Sequence, residues 1–140
     1  MTANLFTIER QLKLHQPRRV LLIEDNDINR MLLSDYLSYC GYDVQSLSDG
    51  SALFATIETF QPELVLLDLK LPGIDGYLLI EQIQQKPNCS KIPIIVVSAF
   101  AFKADKERAI NLGAKRYLIK PINLTELLLT IEEELSCIHI

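Results

Sequence analysis

Glu24-Asp25, Asp68, Ser98 and Lys120 each stand directly after a short apolar run, and together they offer three carboxylates, a hydroxyl and an ammonium. Carboxylates gathered in one place raise one another's pKa unless a cation neutralises them. A divalent ion would relieve that conflict. Hard oxygen ligands suit Mg²⁺ or Mn²⁺, whereas zinc would ask for His or Cys, which these positions lack. With such an ion bound, an aspartate carboxylate can act as a nucleophile toward a phosphoryl group, and Lys120 and Ser98 could hold phosphoryl oxygens. Each residue also has a plainer use. Asp25 or Asp27 could cap a helix starting near Ile28, Lys120-Pro121 could be a strand exit, and Ser98 a satisfied hydroxyl. The reactive reading therefore needs a fold that brings all five together.

The apolar runs supply one. Val20 to Ile23, Leu64 to Leu67 and Ile92 to Val97 are apolar on both faces, as central parallel strands covered by helices should be. Tyr42 to Leu47 alternates more and reads as an edge strand, and Tyr117 to Ile119 as a fifth short strand. Between them lie stretches of helical spacing: Ile28 to Cys40 followed by Gly41, Ser51 to Phe60 before Pro62, Gly76 to Gln85 before Pro87, Ala104 to Leu112 stopped by Gly113, and Leu124 to Leu135 with Asn123 as N-cap. Five βα repeats argue for a doubly wound α/β sheet with right-handed crossovers. In such a sheet the ligand site lies beyond the carboxyl ends of the strands, where strand order reverses. All five candidate positions fall on that rim.

The chain has 140 residues, 49% of them hydrophobic and 23% charged, which fits one globular domain. The expected division is an extension over residues 1–18, either a helix along Leu5, Ile8 and Leu12 or a flexible arm, and a domain over 19–140. A net charge of −4 disfavours direct nucleic-acid or anionic-lipid binding. No apolar run approaches a membrane span and no leader pattern opens the chain, so a cytoplasmic location is expected. Cys40, Cys89 and Cys137 are odd in number and widely spaced, which reads as reduced structural thiols.

Glu24-Asp25-Asn26, the run from Asp68 to Gly76 (DLKLPGIDG), Ser98-Ala99 and Tyr117-Leu118-Ile119-Lys120-Pro121 resemble the successive signature segments of response-regulator receivers, the CheY-like superfamily of two-component signalling. The resemblance runs from about Arg19 onward. It implies a flavodoxin-like sheet in the strand order 2-1-3-4-5. Residue by residue, it makes Asp68 the phospho-acceptor and Asp25 and Asp68 direct metal ligands, with Glu24 acting through water and Lys70 through its backbone carbonyl. Lys120 would pair with the phosphoryl group, Ser98 would hydrogen-bond to it, and Lys120-Pro121 would be a cis peptide. Tyr117 would be a rotamer switch that turns inward on phosphorylation and re-aims the surface of the fourth helix, fifth strand and fifth helix. The implied donor is a histidine kinase or a histidine phosphotransfer protein, and the implied receiver of the signal is a downstream protein or a second copy on that surface. Such a chain would not be an enzyme with a separate substrate. Its chemistry would be self-directed phosphotransfer and autodephosphorylation.

Some residues depart from the pattern. Lys115-Arg116 stands where many DNA-binding members carry an acidic residue, which argues against their salt-bridged dimer. Lys70 and Phe100 occupy positions that vary across the family and affect phosphoryl lifetime. The tail Cys137-Ile138-His139-Ile140 leaves no room for an output domain, and Glu24 to Arg30 (EDNDINR) looks like hybrid-kinase receivers, so a stand-alone receiver or one cut from a hybrid kinase is expected. Three other readings compete. Asp25-Asn26-Asp27 imitates the D-x-D pair of haloacid-dehalogenase phosphatases, but Asn29 stands where that class has Thr or Val, and the chain lacks a cap. A flavodoxin relative would need a hydroxyl- and glycine-rich phosphate loop where this one is acidic. A phosphorylation-independent pseudo-receiver would act purely as a binding module.

Overall fold

Val20 to Ile23, Leu64 to Leu67 and Ile94 to Ser98 are buried along their whole length, which requires cover on both faces of the sheet. The computed structural model describes residues 16–137. Five parallel strands, β1 (Arg19–Ile23), β2 (Asp43–Leu47), β3 (Leu64–Leu67), β4 (Ile94–Ser98) and β5 (Arg116–Ile119), form one sheet in the order β2-β1-β3-β4-β5. Between and after them run α1 (Asp27–Tyr39), α2 (Leu53–Phe60), α3 (Gly76–Gln85), α4 (Lys103–Leu112) and α5 (Leu124–Cys137). This is the expected (βα)5 doubly wound arrangement. Order reverses at β1, which lies between β2 and β3, so the crevice opens beyond Ile23 and Leu67.

Alternate strand residues feed two separate cores. Leu21, Ile23, Val65, Leu67, Ile94 and Val96 pack with the apolar sides of α2 and α3. Val20, Leu22, Leu64, Leu66, Ile95 and Val97 pack with α1 and α5 through Leu33, Leu37, Leu127 and Ile131. The period of two along each strand thus clamps the sheet from both sides and leaves the carboxyl rim as the place where polar groups can gather.

Several boundaries differ from the sequence reading. The helix expected from Ser51 starts at Leu53, because the Asp49 carboxylate accepts from Ser51 N at 2.8 Å and Ser51 Oγ at 2.6 Å and holds that residue in a turn. The cap of α1 is Asn26, whose side chain accepts from Asn29 N at 2.9 Å, and neither Asp25 nor Asp27 takes that role. Asn123 does cap α5, accepting from Glu126 N at 3.0 Å. A feature not anticipated is a two-stranded ribbon in which Lys70–Leu71 pairs antiparallel with Ile74–Asp75. Its turn, Pro72-Gly73, needs the positive φ of 75° that Gly73 supplies.

The anticipated extension falls mostly on residues 1–15, outside the described residues. Among the described residues, Cys40 and Cys89 are free thiols. No described helix is long and apolar enough to cross a membrane.

Candidate functional site

The end of β1 presents Glu24 to the crevice. Its N–H continues the ladder to Leu47 O at 3.0 Å, and its carboxylate is only 2% exposed. Asp68 is placed likewise by Asp68 N donating to Ile23 O at 3.0 Å, and is 5% exposed. From the end of β5, Lys120 N donates to Ser98 O at 2.8 Å, and the following Lys120-Pro121 peptide is cis. The Lys120 Nζ then donates to Glu24 Oε1 at 2.7 Å and to Asp68 Oδ2 at 2.9 Å. Asp68 Oδ1 accepts from Lys70 N at 3.0 Å, and Glu24 Oε2 from Asn26 N at 3.1 Å. Asp25 is exposed, yet carboxylate oxygens of Glu24, Asp25 and Asp68 lie within 4.8 Å of one another.

The electrostatics follow from this crowding. Burial pushes the Glu24 carboxyl above the usual carboxylate range, against the pull of Lys120 and Asn26, and the neighbouring Asp68 adds to the rise. Burial alone would lower the Lys120 ammonium. Its hydrogen bonds to Asp68 and Glu24 outweigh that and hold it above its ordinary value. Three carboxylates thus gather where one ammonium pairs with two of them. The donor set is all oxygen, with no His or Cys, which fits a hard dication that tolerates mixed carboxylate and water ligands.

Ser98 and Tyr117 stand one step away. Ser98 is fully buried and its Oγ accepts from Phe100 N at 3.0 Å. The Tyr117 hydroxyl donates to Phe100 O at 2.7 Å. Both therefore meet at Phe100, and the Tyr117 ring, 9% exposed, packs inward with the Phe100 carbonyl satisfying its hydroxyl. The sequence reading names Ser98 and Tyr117 as the groups that respond to phosphorylation. Two groups that it did not single out are this carbonyl and Arg30, whose Nη1 donates to Glu24 O at 2.9 Å. The i,i+3 spacing of Asp27 and Arg30, which form an ion pair, was the available signal for the second.

Residues 20–132 match the model of the response regulator receiver domain. The polar-differentiation response regulator DivK of Brucella anthropi is 31% identical over 120 residues, covering 86% of this chain and 98% of that protein. The probable transcriptional regulator ycf27 of Porphyridium aerugineum is 35% identical over 112 residues, 80% of this chain but 45% of that protein, so the remainder of ycf27 has no counterpart in the match. A crystal structure of a putative response regulator from Chloroflexus aurantiacus superposes with a TM-score of 0.81 at 30% identity, covering 86% of this chain and 98% of that one.

Proposed function

Because the chain belongs to the response-regulator receiver family, we propose that its Asp68 takes a phosphoryl group from a phosphohistidine donor with Mg²⁺, or Mn²⁺, held at Glu24, Asp25, Asp68 and the backbone carbonyl of Lys70. The chemistry of a receiver is directed at itself, through phosphotransfer and autodephosphorylation, and not at a separate substrate. The observation that carries the assignment is the trio of carboxylates within 4.8 Å of one another, two of them paired with the Lys120 ammonium, at the crevice where strand order reverses.

When bound, the dication supplies charge neutralisation for the carboxylates and for the incoming phosphoryl oxygens. In the transfer an Asp68 oxygen attacks phosphorus, the bond from phosphorus to the donor's imidazole nitrogen breaks, and the imidazole departs with the electron pair. Lys70 N steadies one Asp68 oxygen, and Lys120 is in place to exchange a carboxylate partner for a phosphoryl oxygen. Ser98 drawn toward the same oxygens would give up Phe100 N, whose carbonyl end holds Tyr117. In this reading phosphorylation raises the population of the arrangement of α4, β5 and α5 in which Tyr117 is turned inward. That surface then meets a downstream protein or a second copy of the chain.

The donor, a histidine kinase or phosphotransfer protein, would dock on α1, where Ile28, Met31 and Leu32 are 71%, 61% and 56% exposed next to the cleft walled by Lys120, Pro121 and Ile122. The receiver would occupy residues 19–140, with 1–18 as an extension, and would work in the cytoplasm, where phosphohistidine donors are made. Mass spectrometry after treatment with acetyl phosphate and Mg²⁺, with borohydride trapping of the acyl phosphate, tests the reading. Wild type should carry one label on Asp68 and Asp68→Asn none. Full labelling of Asp68→Asn with loss in Asp25→Asn would move the chain to the phosphatase reading, and an unlabelled wild type would make it a pseudo-receiver.

A further inference from the structure

We infer that Arg30 is a positioning residue for the cation site, fixing the Glu24–Asp25 peptide and through it the aim of the Asp25 carboxylate. This rests on the metal-binding reading of Glu24, Asp25 and Asp68. Among those three, Asp25 is the least constrained. Glu24 is buried and held by Lys120 and Asn26 N, and Asp68 by Lys120 and Lys70 N. The Asp25 side chain is exposed, and among the described residues no hydrogen bond or ion pair holds its carboxylate. Its direction is therefore set by the backbone that carries it.

That backbone is held on both sides of Asp25, by Asn26 N donating to Glu24 Oε2 after it and by Arg30 before it. The Arg30 guanidinium donates through Nη1 to Glu24 O at 2.9 Å and through Nη2 to Asp27 Oδ1 at 2.6 Å. Glu24 C=O and Asp25 N–H belong to one planar peptide unit, so holding the oxygen fixes the rotation of the plane from which the Asp25 Cα departs. Arg30 itself is anchored in the first turn of α1, its N–H donating to Asn26 O at 2.9 Å, and its side chain is 21% exposed. The planar fork reaches two acceptors at once, which a single ammonium does less well. The bond thus ties the rigid start of α1 to the loop that must present Asp25 beside Asp68.

Charge and geometry make opposite predictions here. A guanidinium beside a dication site repels the ion, so removing it should strengthen binding if electrostatics is its whole effect. If it acts by holding the peptide, removing it should weaken binding. Groups that orient a metal ligand without touching the metal typically change affinity by about 10-fold to 100-fold. Arg30→Met and Arg30→Gln are of similar length and both lose the charge, but only Gln keeps a donor for the Glu24 carbonyl. Comparing them cancels the charge effect.

The test is isothermal titration of Mg²⁺ and of Mn²⁺ into wild type and both variants, with thermal unfolding in EDTA to register any effect on the fold. Arg30→Met should bind Mg²⁺ about tenfold more weakly than wild type, and Arg30→Gln should recover most of the difference, with both unfolding near the wild-type temperature. Binding by Arg30→Met as tight as wild type or tighter would overturn the inference. So would equal losses in Met and Gln, or losses that only track a fall in unfolding temperature. A wild type that takes up neither ion would instead sink the metal reading beneath it.

Discussion

Lys120 is the residue on which the site's charge balance turns. It satisfies two nearly buried carboxylates at 2.7 and 2.9 Å while keeping 20% of its own side chain exposed. Removing one partner of a buried ionic pair leaves the other charge uncompensated in a poor solvent, at a cost of about 3 kcal/mol. Lys120→Ala should therefore lose about 3 kcal/mol of unfolding free energy in EDTA, and millimolar Mg²⁺ should restore a large part of it by supplying the missing positive charge. Urea unfolding with and without the ion measures both numbers. A loss too small to resolve, or one that Mg²⁺ leaves unchanged, would show that the ammonium is not the counter-charge. At this scale the sequence revealed the groups that carry charge, because Glu24, Asp25, Asp68 and Lys120 are unusual at strand ends. It could not reveal the backbone oxygens of Glu24 and Phe100, since every residue has a carbonyl and only the folded loop decides which ones are gripped.

Elements place these residues, and one junction between them leaves little room. Gly76 opens α3 directly against the loop that follows Asp68, and a Cβ there would lie 2.5 Å from Leu69 Cα and 2.6 Å from Leu69 O. Backbone cannot step aside as a side chain can. Gly76→Ala should cost about 2–3 kcal/mol by overpacking and should slow phosphate uptake, because Leu69 lies between Asp68 and the Lys70 N–H that steadies it. At Gly50 the nearest obstacle is the tip of Leu79 at 2.9 Å, so Gly50→Ala should be the milder change in the same urea titration and leave uptake near normal. Equal effects would mean that the Leu69 contact is relieved without moving the loop. The strands and longer helices were readable because their apolar spacing is set by the two cores. The ribbon of Lys70–Leu71 and Ile74–Asp75 was not, since two-residue strands have no period to detect, and the start of α2 was missed because the Asp49 carboxylate competes for Ser51.

For the molecule as a whole, apolar runs on both strand faces implied helices on both sides, but not which helix covers which. That follows from right-handed crossovers combined with the reversal at β1, which puts α1 and α5 on one face and α2 and α3 on the other. The face with α1 and α5 contains the most strongly shifted phenol. Tyr42 packs against that core, and burial, with a smaller push from Glu132, raises its pKa to about 12. In the unfolded chain it titrates near 10. Between those values the folded state holds a proton that the unfolded state has released, so stability is full below about pH 10 and falls as pH rises toward 12. Lys120, also held above its ordinary value, loses its contribution in the same direction at high pH. Because Tyr42 is only partly buried, solvent screening cuts the free-energy equivalent of this shift to about 1 kcal/mol. Urea unfolding from about pH 9 to pH 12 should show wild type losing roughly 1 kcal/mol more than Tyr42→Phe, which keeps the ring and has no proton to lose. Parallel alkaline losses in the two proteins would place the sensitivity elsewhere, in Lys120 or in the buried phenols of Tyr77 and Tyr117.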